Sequence, residues 1–499
     1  MCSKRLLSSL LLLGVIATAS HSEPTEVSNF HAEEPNPFSY FGRSLDLDGT
    51  IAVAGAEFSW PGGVYAFDVS DPANPVQMWY AVSDADGRAL GSDVAISGNL
   101  VLVGDRYNSE LADHAGAAYL FDATTGQQFA KFFPPELDES NEFGMSVELV
   151  GDLAVVGANQ YTTSAGGWAG AVWLYDVSNP SSPVYLSRVE ASDTAFGDYF
   201  GAAVAVSGST LLVGAPRKDT DVLDSGAVYI YDISNPTNPV EIAQFVAEDA
   251  QVGDQGGGAV DLEGTVGSVA VPATDDFGSA SGSVYLFDAT NGQQLAKIIA
   301  DDSDAGDLFG SSIAQQGDQL LIGAQGDSDL GSHRGSAYFY DISDPMNPQE
   351  LAKVNASDGE DDDSFGYGIA MDGSIALVGA PRDDQDGYPS GSAYVFSLDE
   401  TTAAPEVGFA SPDLSLRVDA WPSPTTGNAH VSLDLESGGP TELGLIDVHG
   451  RRVSTLFRGF GEAGRHVYGI DTSNLPGGVY FVRAQLGSDV ATRPLVVSR

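Results

Sequence analysis

Short apolar segments separated by Gly-rich turns recur along most of the chain. In one clear copy, Phe200-Gly201 is followed by apolar runs at 204–206 and 211–213, with a tight Gly208-Ser209 turn between them. That spacing predicts a β-hairpin, because Gly tolerates the positive φ of tight turns. Seven copies of the pattern start at Phe41, Leu90, Phe143, Phe200, Gly256, Phe309 and Phe365.

Each copy carries a third strand-length segment with an aromatic residue at every second position. Period two places such a pair on one face of a strand. The pairs are Tyr65/Phe67, Tyr119/Phe121, Trp173/Tyr175, Tyr229/Tyr231, Tyr285/Phe287, Tyr338/Tyr340 and Tyr394/Phe396. A fourth strand follows a turn rich in Asp, Asn, Pro and Gly. Four strands per repeat of about 50 residues predict a seven-bladed β-propeller with the aromatic pairs packed between blades.

The repeat also predicts how the ring closes. The seventh copy ends after its third strand, near Ser397, whereas the segment that begins at Val27 has the pattern of a fourth strand. We expect this N-terminal strand to complete the last blade and to remove free sheet edges.

The N-terminus has the features of a secretory signal. Lys4 and Arg5 precede an apolar run at 6–16 that is too short to span a bilayer, and Ala17-Thr18-Ala19 offers a cleavage site. The predicted organisation is therefore a signal peptide at 1–19, a propeller at 20–403 and a separate unit at 404–499. No later segment is apolar enough to be a transmembrane segment. Cys2 is the only cysteine, so the mature chain is expected to lack disulfides.

Charge narrows the choice of partners. The net charge is −49, and residues 404–499 hold 10 acidic residues against 8 arginines, so nearly all the excess lies in the predicted propeller. Phosphate binding needs Lys and Arg, so nucleic acid and anionic membranes are not expected as partners. Two interpretations of the acidic charge are possible: a solvated surface adapted to high salt, or a surface that binds calcium.

The Phe-Gly and Gly-Ala-Pro marks resemble the FG-GAP repeat family, which includes the propeller of integrin α chains. The match is clearest at Phe200-Gly201 with Gly214-Ala215-Pro216, and at Phe365-Gly366 with Gly379-Ala380-Pro381. Integrin-type repeats hold a calcium loop between the two marks, whereas this chain has a short hairpin there. Asp46 and Asp48 are the nearest remnant, so the resemblance does not carry calcium binding over.

Carboxylates do cluster in the loops that follow Gly-Ala-Pro. Calcium takes about six to eight oxygen ligands, which an acidic turn-rich loop can supply. The candidate metal ligands are Asp219, Asp221, Asp224, Asp383, Asp384 and Asp386. Calcium is therefore a candidate cofactor, and solvated acidic loops are the alternative.

The last ninety or so residues alternate apolar and polar positions and predict a small Ig-like β-sandwich. Trp421-Pro-Ser-Pro424, Asp447 to Val453 and Leu475 to Tyr480 resemble the C-terminal sorting domain of proteins exported by the bacterial type IX secretion system. The resemblance implies contact with that secretion machinery and a secreted or outer-surface location.

Residue patterns typical of catalysis are absent from the sequence. No two histidines have metal-ligand spacing, and there is no Gly-x-Ser-x-Gly or phosphate-binding loop. His114 and His333 are interpreted as exposed loop residues. We expect a non-enzymatic binding or adhesion protein whose partner is an extracellular protein or polysaccharide. A polysaccharide-acting enzyme and a structural surface-layer component are the alternatives.

Overall fold

A computed structural model describes residues 24–33, 38–57, 62–83, 89–136, 140–384 and 388–398, together with the C-terminal stretches 416–421, 428–435, 439–447, 451–461, 464–472, 475–476, 478–486 and 489–497. The chain divides into two compact units, Met1–Thr402 and Ala403–Arg499. The proposed signal peptide and Asp386 lie outside the described residues. Within the described residues, no helix has the length and apolar character needed to cross a membrane.

In the described part of the first unit, 28 strands form seven four-stranded antiparallel sheets, the blades. The strands in chain order are β1 (Thr25–Phe30); β2 (Ser44–Asp48), β3 (Ile51–Ala56), β4 (Gly63–Asp68), β5 (Val76–Val82) in blade 1; β6 (Leu90–Ser97), β7 (Leu100–Asp105), β8 (Ala117–Asp122), β9 (Gln128–Phe132) in blade 2; β10 (Ser146–Val150), β11 (Leu153–Ala158), β12 (Ala171–Asp176), β13 (Val184–Val189) in blade 3; β14 (Val204–Ser207), β15 (Thr210–Ala215), β16 (Ala227–Asp232), β17 (Val240–Phe245) in blade 4; β18 (Val260–Glu263), β19 (Val266–Val271), β20 (Ser283–Asp288), β21 (Gln293–Ile298) in blade 5; β22 (Phe309–Gln316), β23 (Gln319–Ala324), β24 (Ser336–Asp341), β25 (Gln349–Val354) in blade 6; and β26 (Ile369–Asp372), β27 (Ile375–Ala380), β28 (Ser392–Ser397) in blade 7.

The ring closes through the N-terminal strand, as the sequence predicts. β1 pairs antiparallel with β28, from Thr25 opposite Ser397 to Phe30 opposite Ala393, and supplies the fourth strand of blade 7. The first strand of each blade contacts the first strand of the next, and β26 contacts β2. The described strands therefore form a closed seven-bladed propeller.

The predicted packing of aromatic pairs between blades is confirmed, since Tyr229 and Tyr231 of blade 4 share one buried cluster with Val155 and Leu174 of blade 3. Tyr229 and Tyr231 on β16 are 1% and 3% exposed, and the ring of Phe200 meets theirs edge-on at centroid distances of 5.4 and 6.2 Å. The Phe of the Phe-Gly mark thus packs on the aromatic pair of its own copy. Offset and edge-on contacts are the favoured geometry for aromatic rings.

The two glycine marks lie where neighbouring blades come closest. A Cβ atom on Gly214 would be 1.9 Å from the carbonyl oxygen of Gly257 in the next blade, and Gly257 itself has φ +103°. The same approach closes the ring, where a Cβ on Gly379 would be 2.0 Å from the oxygen of Gly42. Only glycine fits such a contact without displacing the backbone.

The second unit contains seven further strands in its described residues. They are β29 (Leu416–Trp421), β30 (Asn428–Leu435), β31 (Gly439–Asp447), β32 (Arg452–Gly461), β33 (Gly464–Asp471), β34 (Gly478–Leu486) and β35 (Asp489–Val497). One sheet has the order β29-β30-β33 and the other has the order β32-β31-β34-β35. Val431 and Leu433 of the first sheet share one buried core with Leu443 and Val482 of the second.

Candidate binding surface on the loop face

Strand direction gathers the acidic loops at one end of the propeller. In each blade, the hairpin turns between strands one and two and between strands three and four lie at one end. The loop between strands two and three, and the loop leading into the next blade, lie at the other end. We call this second end the loop face. Loops on a rigid scaffold are the usual place for binding residues.

Neighbouring blades are joined on the loop face by a short ladder of backbone hydrogen bonds. Between blades 3 and 4, the amides of Gly197, Tyr199 and Phe200 donate to the carbonyl oxygens of Gly167, Trp168 and Ala169 at 3.2, 3.0 and 3.0 Å. The equivalent donors and acceptors at four other interfaces are Ser140, Glu142 and Phe143 with Asp113, His114 and Ala115; Gly253, Gln255 and Gly256 with Leu223, Asp224 and Ser225; Gly306, Leu308 and Phe309 with Ser279, Ala280 and Ser281; and Asp362, Ser364 and Phe365 with Ser332, His333 and Arg334.

The middle rung of each ladder has a constant backbone and a variable pair of side chains. All ten residues of these rungs have φ between 47° and 59°, a region that non-glycine residues rarely adopt. We call them the rung pairs: His114/Glu142, Trp168/Tyr199, Asp224/Gln255, Ala280/Leu308 and His333/Ser364. The backbone is thus fixed by hydrogen bonds on both sides, whereas the side chains range from acidic to aromatic.

The rung pairs offer distinct local chemistry. The rings of Trp168 and Tyr199 stack at 6.2 Å with an interplanar angle of 21°. Burial raises the pKa of Glu142, and the charges of Arg106 and His114 oppose that rise. His333 lies 3.2 Å from the carboxylate of Asp362. His114 and His333 are both exposed, as the sequence predicts.

The loop between strands two and three exposes one large apolar side chain in each of blades 2 to 7. These residues are Leu111, Trp168, Leu223, Phe277, Leu330 and Tyr388. Single exposed apolar residues are common on soluble proteins, and the hairpin end of the ring also carries several. The loop face differs in that such a residue recurs in the same loop of six consecutive blades.

The predicted calcium ligands lie in the same loops but do not converge. The carboxylate of Asp219 accepts the backbone amide of Asp224 at 2.9 Å, and Asp221 is exposed. Asp383 is buried and accepts the Tyr394 hydroxyl at 3.1 Å, whereas Asp384 is exposed. Asp386 lies outside the described residues. Among the described residues, no three acidic, His or Cys side chains form a group that could hold a metal ion. Calcium binding stays a prediction.

Several other loop carboxylates are neutralised by ion pairs with a lysine of the protein itself. Lys353 on β25 lies 2.7, 2.7 and 2.8 Å from Asp302, Asp327 and Asp329, and the Tyr338 hydroxyl donates to Asp302 and Asp327 at 3.0 Å. These bonds tie the loop before blade 6 to that blade. Sequence reasoning missed this role, because the carboxylates lie in two loops that are distant in the chain from Lys353 on β25.

A cavity of about 510 Å³ runs along the axis and is lined by the first strands of all seven blades. Asp46, Glu148 and Asp261 lie five residues after the start of copies one, three and five, and Asp93 lies nearby in copy two. Desolvation raises the pKa of Asp46 and of Asp93 to about 7 and that of Asp261 to about 6, and it raises the pKa of Glu148 well above its usual range.

Three of these four carboxylates bind backbone amides of the next blade, whereas Glu148 accepts the amide of Leu149 on its own strand. Asp46 accepts the amide of Ile96 at 2.7 Å, and Asp261 accepts the amide of Gln315 at 2.6 Å. The first strand of a blade is a sheet edge, so these side chains satisfy donors that no strand pairs with. The acidic residue at the same offset in alternate copies was the available sequence signal, and it was not recognised.

At one mouth of the channel, two copies replace the Pro of Gly-Ala-Pro with a charged residue. Glu57 is 1% exposed and lies 2.7 Å from Arg43 and 2.5 Å from Arg106. Burial raises the pKa of Glu57, and both guanidinium groups oppose that rise. Arg43 also lies over the ring of Tyr367 at 4.6 Å, so the cluster joins blades 1, 2 and 7.

Comparison with known families agrees with this geometry. The FG-GAP repeat matches residues 186–231, 293–340 and 348–396, and the secretion system C-terminal sorting domain matches residues 419–498. The chain carries FG-GAP repeats and a type IX secretion C-terminal sorting domain. Both resemblances expected from the sequence are confirmed. An LVIVD repeat also matches residues 168–191 and 222–246.

The sorting domain makes this FG-GAP propeller an exported protein, secreted or held at the outer surface. Among solved structures, BamB from Moraxella catarrhalis is similar over 76% of this chain and 99% of its own, with 12% identity and a TM-score of 0.40. PorZ from Porphyromonas gingivalis, described as an essential bacterial surface component of the type-IX secretion system, is similar over 94% of this chain and 61% of its own, with 13% identity and a TM-score of 0.47. No curated protein matches the chain.

Proposed function

We propose that this protein is a non-enzymatic binding or adhesion protein that contacts an extracellular protein or polysaccharide through its loop face. One observation carries the proposal. The rung pairs hold the backbone in one geometry at five interfaces, whereas their side chains differ at every one. Constant backbone with variable side chains is what a rigid scaffold needs to display a specific surface.

A comparison of the two ends of the ring tests the proposal. The loop-face variant replaces Trp168, Leu223, Phe277 and Leu330 with Ser. The matched variant also introduces four Ser residues, in place of Val76, Val184, Val240 and Met346, which are similarly exposed at the hairpin end. The labelled full chain is applied to immobilised polysaccharides, outer-envelope proteins and whole bacterial cells.

We expect the loop-face variant to lose retention by about tenfold or more on at least one of these surfaces, because a few central contacts dominate binding. The hairpin-end variant should be retained like the unmodified chain. Equal retention of both variants on every surface would contradict the proposal.

The polysaccharide-acting enzyme remains a second candidate because of the axial channel. Carboxylates with raised pKa values in a cavity are a common feature of catalytic sites, and Asp46 and Glu148 have this property. Assay of the purified full chain against a polysaccharide panel separates the candidates. Turnover that is abolished in Asp46→Asn or Glu148→Gln would replace the binding proposal by an enzymatic one.

A further inference from the structure

Two exposed aromatic side chains and one half-buried one adjoin on the loop face between blades 3 and 4. Trp168 is 46% exposed and Phe196 is 68% exposed, and their rings lie 5.9 Å apart. The half-buried ring of Tyr199 stacks on that of Trp168 at a centroid distance of 6.2 Å. We call Trp168, Phe196 and Tyr199 the aromatic patch. Three adjoining rings, two of them exposed to solvent, differ from scattered apolar residues and indicate an interaction site.

The patch is held rigid by the loops that carry it. Thr163 and Gly166 exchange two backbone hydrogen bonds at 3.1 Å and form a small hairpin beneath the ring of Phe196. A Cβ on Gly166 would meet the Phe196 side chain at 3.1 Å, and Gly166 has φ +139°. Glycine at this position therefore suits both the backbone conformation and the close approach of the Phe196 side chain.

The second loop of the patch is braced from below. Asp198 accepts the amide of Ala195 at 2.7 Å, and Lys218 bonds both Asp198 and the carbonyl oxygen of Asp193. Because the loop is already ordered, a ligand that binds there loses little affinity to ordering it.

Polar groups border the patch. The guanidinium group of Arg217 lies over the ring of Tyr199 at 5.0 Å and is exposed. The hydroxyl of Thr162 and the edge of the Phe196 ring both lie near Gly167, each 3.8 Å from the position that a Cβ on this glycine would take. The patch thus combines flat aromatic surface with one fixed hydrogen-bond donor group and one hydroxyl.

We infer that the aromatic patch binds a neutral saccharide unit of a polysaccharide. The faces of aromatic rings are electron-rich and attract the C–H groups on the flat side of a sugar ring. The net charge of −49 disfavours anionic polymers, and Arg217 beside the patch disfavours a lysine-rich or arginine-rich peptide. Sugar hydroxyls can accept from Arg217 and can exchange hydrogen bonds with Thr162.

This inference rests on the proposed function and narrows it to one class of ligand. The test is calorimetric titration of the full chain with cello-, manno- and chito-oligosaccharides, with alginate oligosaccharides and polylysine as charged comparisons. At least one neutral oligosaccharide should bind. Trp168→Ala and Phe196→Ala should each weaken that binding by about tenfold or more, and Trp168→Phe should retain most of it.

Tyr185→Ala is the matched control, because Tyr185 is a similarly exposed aromatic residue of blade 3 that lies at the hairpin end and not on the loop face. It should bind like the unmodified chain, and all variants should keep the same unfolding midpoint. The inference is overturned if no neutral oligosaccharide binds, if Trp168→Ala binds as well as the unmodified chain, or if only polylysine binds through Trp168. The proposed function would survive each of those results if the four-residue loop-face variant still lost its retention on protein or cell surfaces.

Discussion

Gly214 and Gly257 belong to different blades, and the space between them leaves no room for a side chain. We expect Gly214→Ala to destabilise the propeller by about 1–3 kcal/mol, because the new Cβ at 1.9 Å from a carbonyl oxygen forces the blades apart. Chemical denaturation monitored by circular dichroism measures the change. Gly208→Ala is the control: it has φ +59° but open space around it, and should cost about 1 kcal/mol.

The Tyr338 hydroxyl connects two carboxylates of the loop face, and one of them, Asp327, is 3% exposed. We expect Tyr338→Phe to destabilise the propeller by about 1–3 kcal/mol, because the buried carboxylate of Asp327 loses a donor. Tyr388→Phe, at an exposed ring, should change stability by less than about 0.5 kcal/mol. Equal stability of the two variants would show that Lys353 alone satisfies the carboxylates.

The sequence pattern shows which apolar residues of a strand face the core, but it does not show the role of each acidic residue. Tyr229 and Tyr231 could be placed in the core because period two fixes their face. Asp46, Asp219 and Asp327 look alike in the sequence, yet one lines the channel, one closes a turn and one is paired with Lys353. Their roles depend on partners far away in the chain, which local patterning does not encode.

The fourth strand of blade 7 is the element that converts an open array into a ring. Phe30 on β1 is 6% exposed and lies 4.4 Å from the ring of Phe67 in blade 1, so the strand also connects the first and last blades. Deletion of residues 24–30 should expose the edge of β28, lower the unfolding midpoint and cause aggregation, as free strand edges do.

A peptide of sequence 24–32 supplied in trans should restore the midpoint of that deletion by adding the missing strand. A peptide of the same composition in scrambled order is the control. Thermal unfolding and light scattering report the outcome. A deletion that unfolds like the full chain would mean that closure contributes little to stability.

The elements of the fold were predictable, but the ladder between blades was not. Strands follow from apolar period and turn residues, and closure follows from one missing strand in copy seven. The rung pair Trp168/Tyr199 joins two loops with no regular pattern, and its left-handed backbone occurs at His114 and Ala280 as well. No residue type is common to all the rung positions, so the sequence gives no sign of their left-handed backbone.

The axial channel makes the stability of the whole ring depend on pH. The folded-state pKa values of Asp46 and Asp93 are about 7, and that of Asp261 is about 6, whereas an unfolded Asp titrates near 4. Between about pH 4 and 7 the folded chain therefore holds more protons than the unfolded chain, and the free energy of unfolding falls as the pH rises.

We expect the unfolding midpoint to drop by several degrees between pH 5 and pH 8, at roughly 2 °C for each kcal/mol lost. Asp46→Asn should reduce this drop, since it removes one desolvated charge. Asp152→Asn, at an exposed hairpin turn, should leave the drop unchanged. A midpoint that rises with pH, or an Asp46→Asn profile that matches the unmodified chain, would contradict this prediction.

The net charge of −49 makes the stability of the propeller depend on salt concentration as well as on pH. A comparison of KCl with CaCl₂ distinguishes general charge screening from specific calcium binding. Self-repulsion weakens as ions screen it, so the unfolding midpoint should rise from low salt to about 0.5 M KCl. CaCl₂ at matched ionic strength should give nearly the same rise, because the described loops gather no set of carboxylates that could hold an ion. A further rise in the unfolding midpoint that saturates at low millimolar calcium and disappears in Asp383→Asn would instead establish a specific calcium site. Charge screening depends on ionic strength alone, so it would neither saturate at that concentration nor depend on a single carboxylate.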